Sequence, residues 1–336
     1  MVRISYDRMK DVFSQILRLR GFDVLRAEQA ATIFADNSCD GVYSHGLNRF
    51  PRVLTYIDKG YIDPCAEPCM EESFGALERW DGKMGMGCLN ACLAMDRAMS
   101  LSDDYGVGCV AMRNTHHWMR GGTYGLRAAR AGYMAICWTN TCPNLPLWGT
   151  KECRLGNNPL VMAFPHGDGP VVIDGALAQY SYGALEGYRM TGQSLPFPGG
   201  YDEEGRLTDN PAEILRSKRV LPIGFWKGSG YALVLDLIGA ALSKGNTVSQ
   251  VGKLPDEIAL TQVFLAFSAD KVLGGNEAES LASTVLEDLR TAEPAKAGEA
   301  FFYPGERGAA LRRENLERGI PVKEEIWNAL LKERNR

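Results

Sequence analysis

The chain has 336 residues, 45% hydrophobic and 23% charged, the balance of a globular protein with ample material for a packed core. That length fits two domains, or one large domain with an appended helical part. A net charge of −4 excludes the basic footprint that nucleic acid or an acidic membrane surface selects. The N-terminal residues lack an apolar signal-peptide core, and the longest candidate membrane stretch, 231–242, is short and carries Asp236. Nine cysteines, an odd number confined to Cys39 through Cys153, argue for reduced thiols in a cytoplasmic protein rather than a disulfide framework.

Met9, Val12, Phe13, Ile16 and Leu17 recur at helical spacing, and Gly21 stops that helix. A second helix is predicted over 27–34. Leu47, Phe50, Val53, Leu54 and Ile57 continue the helical period to Gly60, with Pro51 near the start, or at a kink if the helix begins at Ser44. Next come a helix over 89–105, a buried strand over 108–112, a helix over 124–131 and a strand over 133–139. Two apolar strands, 159–164 and 170–173, flank a turn at His166-Gly-Asp-Gly169. Residues 196–211 read as a polar loop. Lys227-Gly-Ser-Gly230 opens a helix through Leu242, 262–267 is a strand, and 277–289 and 322–332 are helices. The pattern divides the chain into a mainly helical part over 1–75, an α/β domain over 76–275 and a helical part over 276–336. Gly85-Met-Gly87 comes near a dinucleotide fingerprint, but position 90 is Asn and residues 80–84 do not read as a strand. A Rossmann fingerprint is therefore not supported, and any dinucleotide must bind by another arrangement.

Only four histidines are present, so few groups can exchange a proton near neutral pH. One lies in Ser44-His45-Gly46, with Arg49 four residues on. A proton donor beside a fixed cation suits a 2-oxo acid, whose carbonyl oxygen and carboxylate are close neighbours. In that reading Arg49 shares a helical face with His45, Ser44 caps a helix or bonds the imidazole, and Gly46 leaves room for a ligand. In the plainer reading Ser44 merely caps and Arg49 is solvated, and spacing alone does not choose between them. His116 and His117 are adjacent, so a regular element would send at most one of them into a site. Cys65 with Cys69, and Cys88 with Cys92, lack the usual zinc spacing, so no metal site is expected and packing accounts for them. Gly224-Phe-Trp-Lys-Gly-Ser-Gly230 can bind an anion at a helix start or serve tight packing. Asp174-Gly175-Ala176 puts a carboxylate at a strand end, for ribose hydroxyls or for turn amides. Pro304-Gly-Glu-Arg307 reads as a turn with solvated charges. The acidic loop 202–209 does not fit a calcium loop, and there is no nucleophile elbow, H-E-x-x-H or Walker motif.

Six segments taken together are similar to the malate/L-lactate dehydrogenase family that lacks a Rossmann fold, over about residues 5–330. They are Gly41-Val-Tyr-Ser-His-Gly46 with Asn48-Arg-Phe-Pro-Arg52, His117-Trp-Met-Arg-Gly-Gly122, Cys137-Trp-Thr-Asn140, Trp148-Gly149 with Lys151-Glu-Cys-Arg154, Phe225-Trp-Lys-Gly-Ser-Gly230 and Pro304-Gly-Glu306. The second and fifth are narrower and favour the branch acting on 2,3-diketo-L-gulonate. The resemblance implies an α/β fold with a central mixed sheet, helical N- and C-terminal parts packed together, and nucleotide binding in the middle domain. It implies that His45 is the general acid while hydride arrives from NADH, with NADPH as the other possible donor. Ser44 would orient or relay to His45, Arg49 would hold the substrate carboxylate, and His117 would line the pocket. Val172, Ile173, Asp174, Gly175, Ala176, Trp226, Lys227, Gly305, Glu306 and Arg307 would contact NAD. A homodimer with sites completed near its interface is implied, with a small 2-oxo acid as substrate and neither nucleic acid nor membrane as partner. The expected reaction is reduction of 2,3-diketo-L-gulonate to 3-dehydro-L-gulonate. Other readings are a reductase or dehydrogenase for malate, lactate or ureidoglycolate, one for a cyclic imine acid, a binding relative without turnover, and a metal-dependent hydrolase. Three departures from the family pattern stand out: His116 where Asn is usual, Gly156-Asn-Asn-Pro159 for Gly-Thr-Asn-Pro, and the run Gly175-Ala-Leu-Ala-Gln179.

Overall fold

Seven strands form one mixed sheet in this computed structural model, which describes residues 2–167, 169–296 and 302–335. They are β1 (Cys69–Ser73), β2 (Leu77–Asp81), β3 (Val107–Thr115), β4 (Tyr133–Thr139), β5 (Leu160–Phe164), β6 (Val171–Gly175) and β7 (Leu260–Ser268). Their order across the sheet is β1-β2-β3-β7-β4-β5-β6. The β2–β3 pair is parallel, joined by the helix Gly87–Tyr105, and the remaining neighbours run antiparallel. The fold is α/β with a central mixed sheet, as the resemblance implies.

Alternation along the central strands explains the layers. Val110, Met112, Phe264 and Ala266 pack with Ala91, Ala94, Met95 and Ala98 of Gly87–Tyr105 and with Tyr124 and Ala128 of the helix Gly122–Arg130. On the opposite face Ala111, Trp138 and Val263 meet Leu235 and Leu242 of the helix Trp226–Ser243. Trp138 Nε1 donates to Leu235 O at 3.0 Å, and Asn140 bonds Asn246 O at 2.7 Å and Thr261 N at 2.8 Å. The Cys137-Trp-Thr-Asn140 motif thus fastens that helix to the sheet.

The N-terminal helices Tyr6–Leu19 and Val24–Cys39 start at side-chain caps, Ser5 accepting from Arg8 N and Asp23 from Arg26 N. Their apolar faces enclose Phe50, whose ring lies 4.3 Å from that of Phe13 and 4.9 Å from that of Phe34. Each such fully buried side chain contributes roughly 1.5–3 kcal/mol. Trp327 and Leu330 of Glu324–Arg334 join the same core, and the strand Val2–Ile4 pairs with Ile320–Val322. Glu277–Arg290 touches the middle of the chain instead, where Gly167 N donates to Glu279 Oε2 at 2.7 Å. In the expected turn at 166–169, Gly169 N bonds His166 O at 2.9 Å, and Asp168 lies outside the described residues.

The third helix is Phe50–Asp58 with Pro51 in its first turn, near the start as expected, and Tyr43–His45 is a separate 3-10 turn. Two expectations need correction. Leu77–Asp81 is a strand although its sequence does not read as one. It buries polar side chains that are paired: Glu78 with Arg97 at 2.6 Å, and Arg79 with Leu242 O at 2.8 Å. The turn at 304–307 runs on into a helix, Glu306–Arg318, so charged all round that no apolar stripe announces it.

Candidate active site

His45 is positioned from beneath. Its N–H donates to Val42 O at 3.0 Å, and its carbonyl accepts from Asn37 Nδ2 at 3.0 Å. Asn37 is itself fixed by Thr123 Oγ1 at 2.9 Å. Gly46 follows because the turn lies on the backbone of Val24–Cys39: a Cβ there would strike Ser38 Oγ and sit 2.8 Å from Ser38 N. The space Gly46 leaves is therefore filled by the neighbouring helix and not by a ligand. Ser44 caps no helix; its Oγ lies 2.9 Å from His45 Nδ1. Arg49 reaches the site from the following turn, not from a helical face shared with His45.

His117 stacks on His45, with ring centroids 5.5 Å apart at 26°. Its Nδ1 accepts from Met119 N at 3.0 Å, which leaves the proton on Nε2 of the neutral ring. His116 makes the opposite choice: Nδ1 lies 3.0 Å from Gly85 O and donates, so its Nε2 carries a lone pair, buried and without a protein partner. His116 and His117 both touch one small void with Arg49, Arg52 and Tyr56, while His117 is the one that stacks on His45. The end of β3 and the segment after it are irregular, with positive φ at Asn114 and Met119, so strand alternation does not separate the two rings.

Arg49 Nη2 lies 3.3 Å from Glu257 Oε2, and Glu257 Oε1 accepts from Cys142 N at 3.3 Å. Arg52 bonds Tyr56 OH at 2.9 Å and Asp256 Oδ1 at 3.2 Å. Burial pushes His45 down to about 4, and the Arg49 and Arg120 guanidinia press the same way. Burial likewise holds His117 well below its ordinary value, with Arg49, His45 and Arg52 adding to it. His116 is pushed down to about 4 by burial against the opposing pull of Gly85 O.

Next to the histidine turn lies a cavity of about 840 Å³ walled by Val42, Arg120, Val172, Asp174, Gly305 and Glu306 among others. Asp174 Oδ2 accepts from Gly122 N at 2.7 Å and faces Arg120 Nε at 3.9 Å, so a helix-start amide already holds one oxygen. Gly305, at φ +106°, passes so close to β6 that a Cβ would sit 2.8 Å from Pro170 O. Glu306 bonds Arg290 at 3.0 Å and Tyr303 N at 3.3 Å, so its charge is paired rather than solvated. The Arg307 guanidinium covers the Phe302 ring at 4.8 Å. Ile173 points to the other face of the sheet and is exposed beside its cross-strand neighbour Met162, while Gly175 and Ala176 continue from β6. Trp226 and Lys227 line neither cavity; they begin the helix Trp226–Ser243, next to Trp148, whose N–H bonds Ser229 Oγ at 3.2 Å.

The structure thus gathers Ser44, His45, Arg49 and His117 into one cluster, and Val172, Asp174, Gly305 and Glu306 into the adjoining cavity. Sequence reading passed over Arg120, its partner Asp40 on the cavity wall, Asn37 and Glu257. Arg120 had a signal, because it stands three residues after His117 in a motif already singled out. Among the described residues no three His, Cys, Asp or Glu side chains come together as metal ligands.

The stacked His45 and His117 rings, the Arg49 guanidinium and the adjoining cavity make up the candidate active site. The profile of the malate/L-lactate dehydrogenase family matches residues 4–331, and the chain belongs to that family. It is 43% identical over 331 residues to 2,3-diketo-L-gulonate reductase of Pasteurella multocida, covering 98% of this chain and 99% of that protein. The protein of the same name from Citrobacter koseri is 42% identical over 328 residues, 97% of this chain and 98% of its own. Among solved structures, sulfolactate dehydrogenase from Methanocaldococcus jannaschii superposes with a TM-score of 0.92 at 26% identity, covering 99% of this chain and 97% of that one.

Proposed function

We propose that the chain reduces 2,3-diketo-L-gulonate to 3-dehydro-L-gulonate with NADH. The observation that carries this reading is the Ser44–His45–His117–Arg49 cluster opening beside the 840 Å³ cavity, in a chain 43% identical to a reductase of that name. The cavity is of a size that holds a large ligand, and Gly305 lets the 304–306 turn lie against β6 at its wall, where a Cβ would strike Pro170 O. Val172, Asp174, Gly305 and Glu306, which line the cavity, are the residues proposed to hold the dinucleotide, with Ile173, Gly175 and Ala176 contributing backbone only, Arg307 beside them, and Trp226 and Lys227 meeting it near a subunit interface. Bound there, the nicotinamide supplies hydride to C2 of the substrate.

The side chains do the rest. Arg49 takes the carboxylate on the guanidinium edge that Glu257 leaves free. With the substrate carboxylate bound, His45 is protonated on both nitrogens; it gives the Nε2 proton to the C2 oxygen and is left neutral, while Ser44 Oγ accepts from Nδ1 and fixes the ring. His117 Nε2–H donates to the substrate from the neighbouring ring. Asp174, with one oxygen not held by Gly122, supplies an acceptor for a ribose hydroxyl. Nine unpaired cysteines suit a reducing, cytoplasmic compartment. We also propose a homodimer, since the outward face of Trp226–Ser243 exposes Tyr231, Val234, Leu237 and Ile238.

A panel of diketogulonate, pyruvate, oxaloacetate and oxalurate with NADH and NADPH tests the reading, with diketogulonate and NADH giving the highest kcat/KM. His45→Ala should lower the rate by about 10²- to 10⁴-fold, the usual span of general acid catalysis. Activity within a few-fold of wild type would remove His45 from the mechanism.

A further inference from the structure

Arg49 does not stand alone. Its single protein partner among the described residues is Glu257, through Nη2. Among the described residues the other guanidinium donors have no protein partner, and the side chain keeps one-fifth of its surface open. Glu257 is the less exposed partner, at 8%, and is held at its far oxygen by the Cys142 amide just after β4. Its own backbone is fixed as well: Glu257 N donates to Asp256 Oδ1 at 2.9 Å, and Ile258 N to Asp256 O at 2.9 Å. Three residues later the chain enters β7 at the centre of the sheet. Asp256 meanwhile grips Arg52 and Tyr56 on the helix Phe50–Asp58. One acidic dipeptide therefore ties the arginine-bearing segment to two adjacent central strands.

We propose that Glu257 is a positioning residue for substrate binding. Anchored between the Cys142 amide and Arg49, it turns the guanidinium so that its free edge meets the substrate carboxylate. The inference rests on the proposed role of Arg49. Two physical points support it. A long cationic side chain without a fixed partner samples many rotamers, and ordering it anew on each binding event costs affinity. A buried guanidinium stripped of its only carboxylate is also left uncompensated, so its geometry and not merely its strength depends on Glu257.

The test uses the full chain with NADH and separates grip from fold. Glu257→Ala should raise KM for the 2-oxo acid and Ki for oxalate by about ten-fold or more, with KM for NADH within about two-fold and kcat within about five-fold. Glu257→Gln retains one neutral acceptor for Arg49 and should recover only part of that loss, leaving KM and Ki about two- to three-fold above wild type. KM and Ki within about two-fold of wild type in Glu257→Ala overturn the proposal, and so does a matched change in kcat and both KM values. If Glu257→Ala does not fold, Glu257→Gln decides: KM and Ki unchanged within about 1.5-fold sinks the idea. Arg49→Lys distinguishes the two levels. Should it raise KM while Glu257→Ala does not, only the positioning role fails; should neither do so, the carboxylate binds elsewhere and the functional reading fails too.

Discussion

Three of the four histidines lie where a positive charge is unwelcome, and each consequence can be given a sign. An imidazole held near 4 in the fold and near 6.5 in the unfolded chain favours folding fully above pH 6.5. As pH falls from 6.5 toward 4, the unfolded chain gains protons that the native one refuses, so stability declines over that window. The melting temperature should therefore drop between pH 7 and pH 5, and His116→Gln should flatten part of the slope in a series of thermal scans. The active site adds a second consequence. Arg49 helps hold His45 neutral in the empty site, and a bound carboxylate offsets that guanidinium. His45 is then easier to protonate in the complex than in the free enzyme. For reduction, the pKa seen in kcat should lie above the one seen in kcat/KM. Equal values in the two profiles would show that the carboxylate does not sit on Arg49.

At the scale of elements, the short turn Tyr43–His45 depends on how closely it rests on Val24–Cys39. Gly46→Ala drives a methyl into Ser38 and should cost about 1–3 kcal/mol in a denaturant titration, by overpacking. It should also lower turnover, because the turn that carries His45 must lift. Legibility followed the same physics. Tyr133–Thr139 was readable to the residue because an apolar run bounded by Gly132 and a polar loop can do little else. Leu77–Asp81 was not, because its buried Glu78, Arg79 and Asp81 are made acceptable by partners elsewhere in the chain. Glu306–Arg318 lacked a stripe, having only Asn315 fully buried. In the site, residue type and spacing single out His45 and Arg49 without choosing between a site and a capped turn, and the roles of Ser44 and His117 come from the family resemblance. Glu257 cannot be read in either way, since its pairing with Arg49 spans 208 positions and exists only once the sheet has formed.

For the whole molecule, the helix Trp226–Ser243 poses the main question. It is apolar nearly all round, the pattern of a helix covered on every side, yet half its circumference faces out. The proposed homodimer resolves this by covering it. Replacing Val234 and Leu237 together by Glu should halve the mass in solution, toward the 36.9 kDa of one chain, as read by sedimentation equilibrium. A wild-type protein already at that mass would exclude the dimer. The wall of the large cavity has a further role at the margin of the sheet. β6 is an edge strand, and Val172 N donates to Pro304 O at 2.9 Å. The backbone that shapes the pocket thus occupies a hydrogen-bonding position another chain could otherwise use to extend the sheet. Solubility and ligand binding depend here on the same few peptide groups, and trimming the C-terminal segment to reshape the pocket would invite strand-to-strand aggregation.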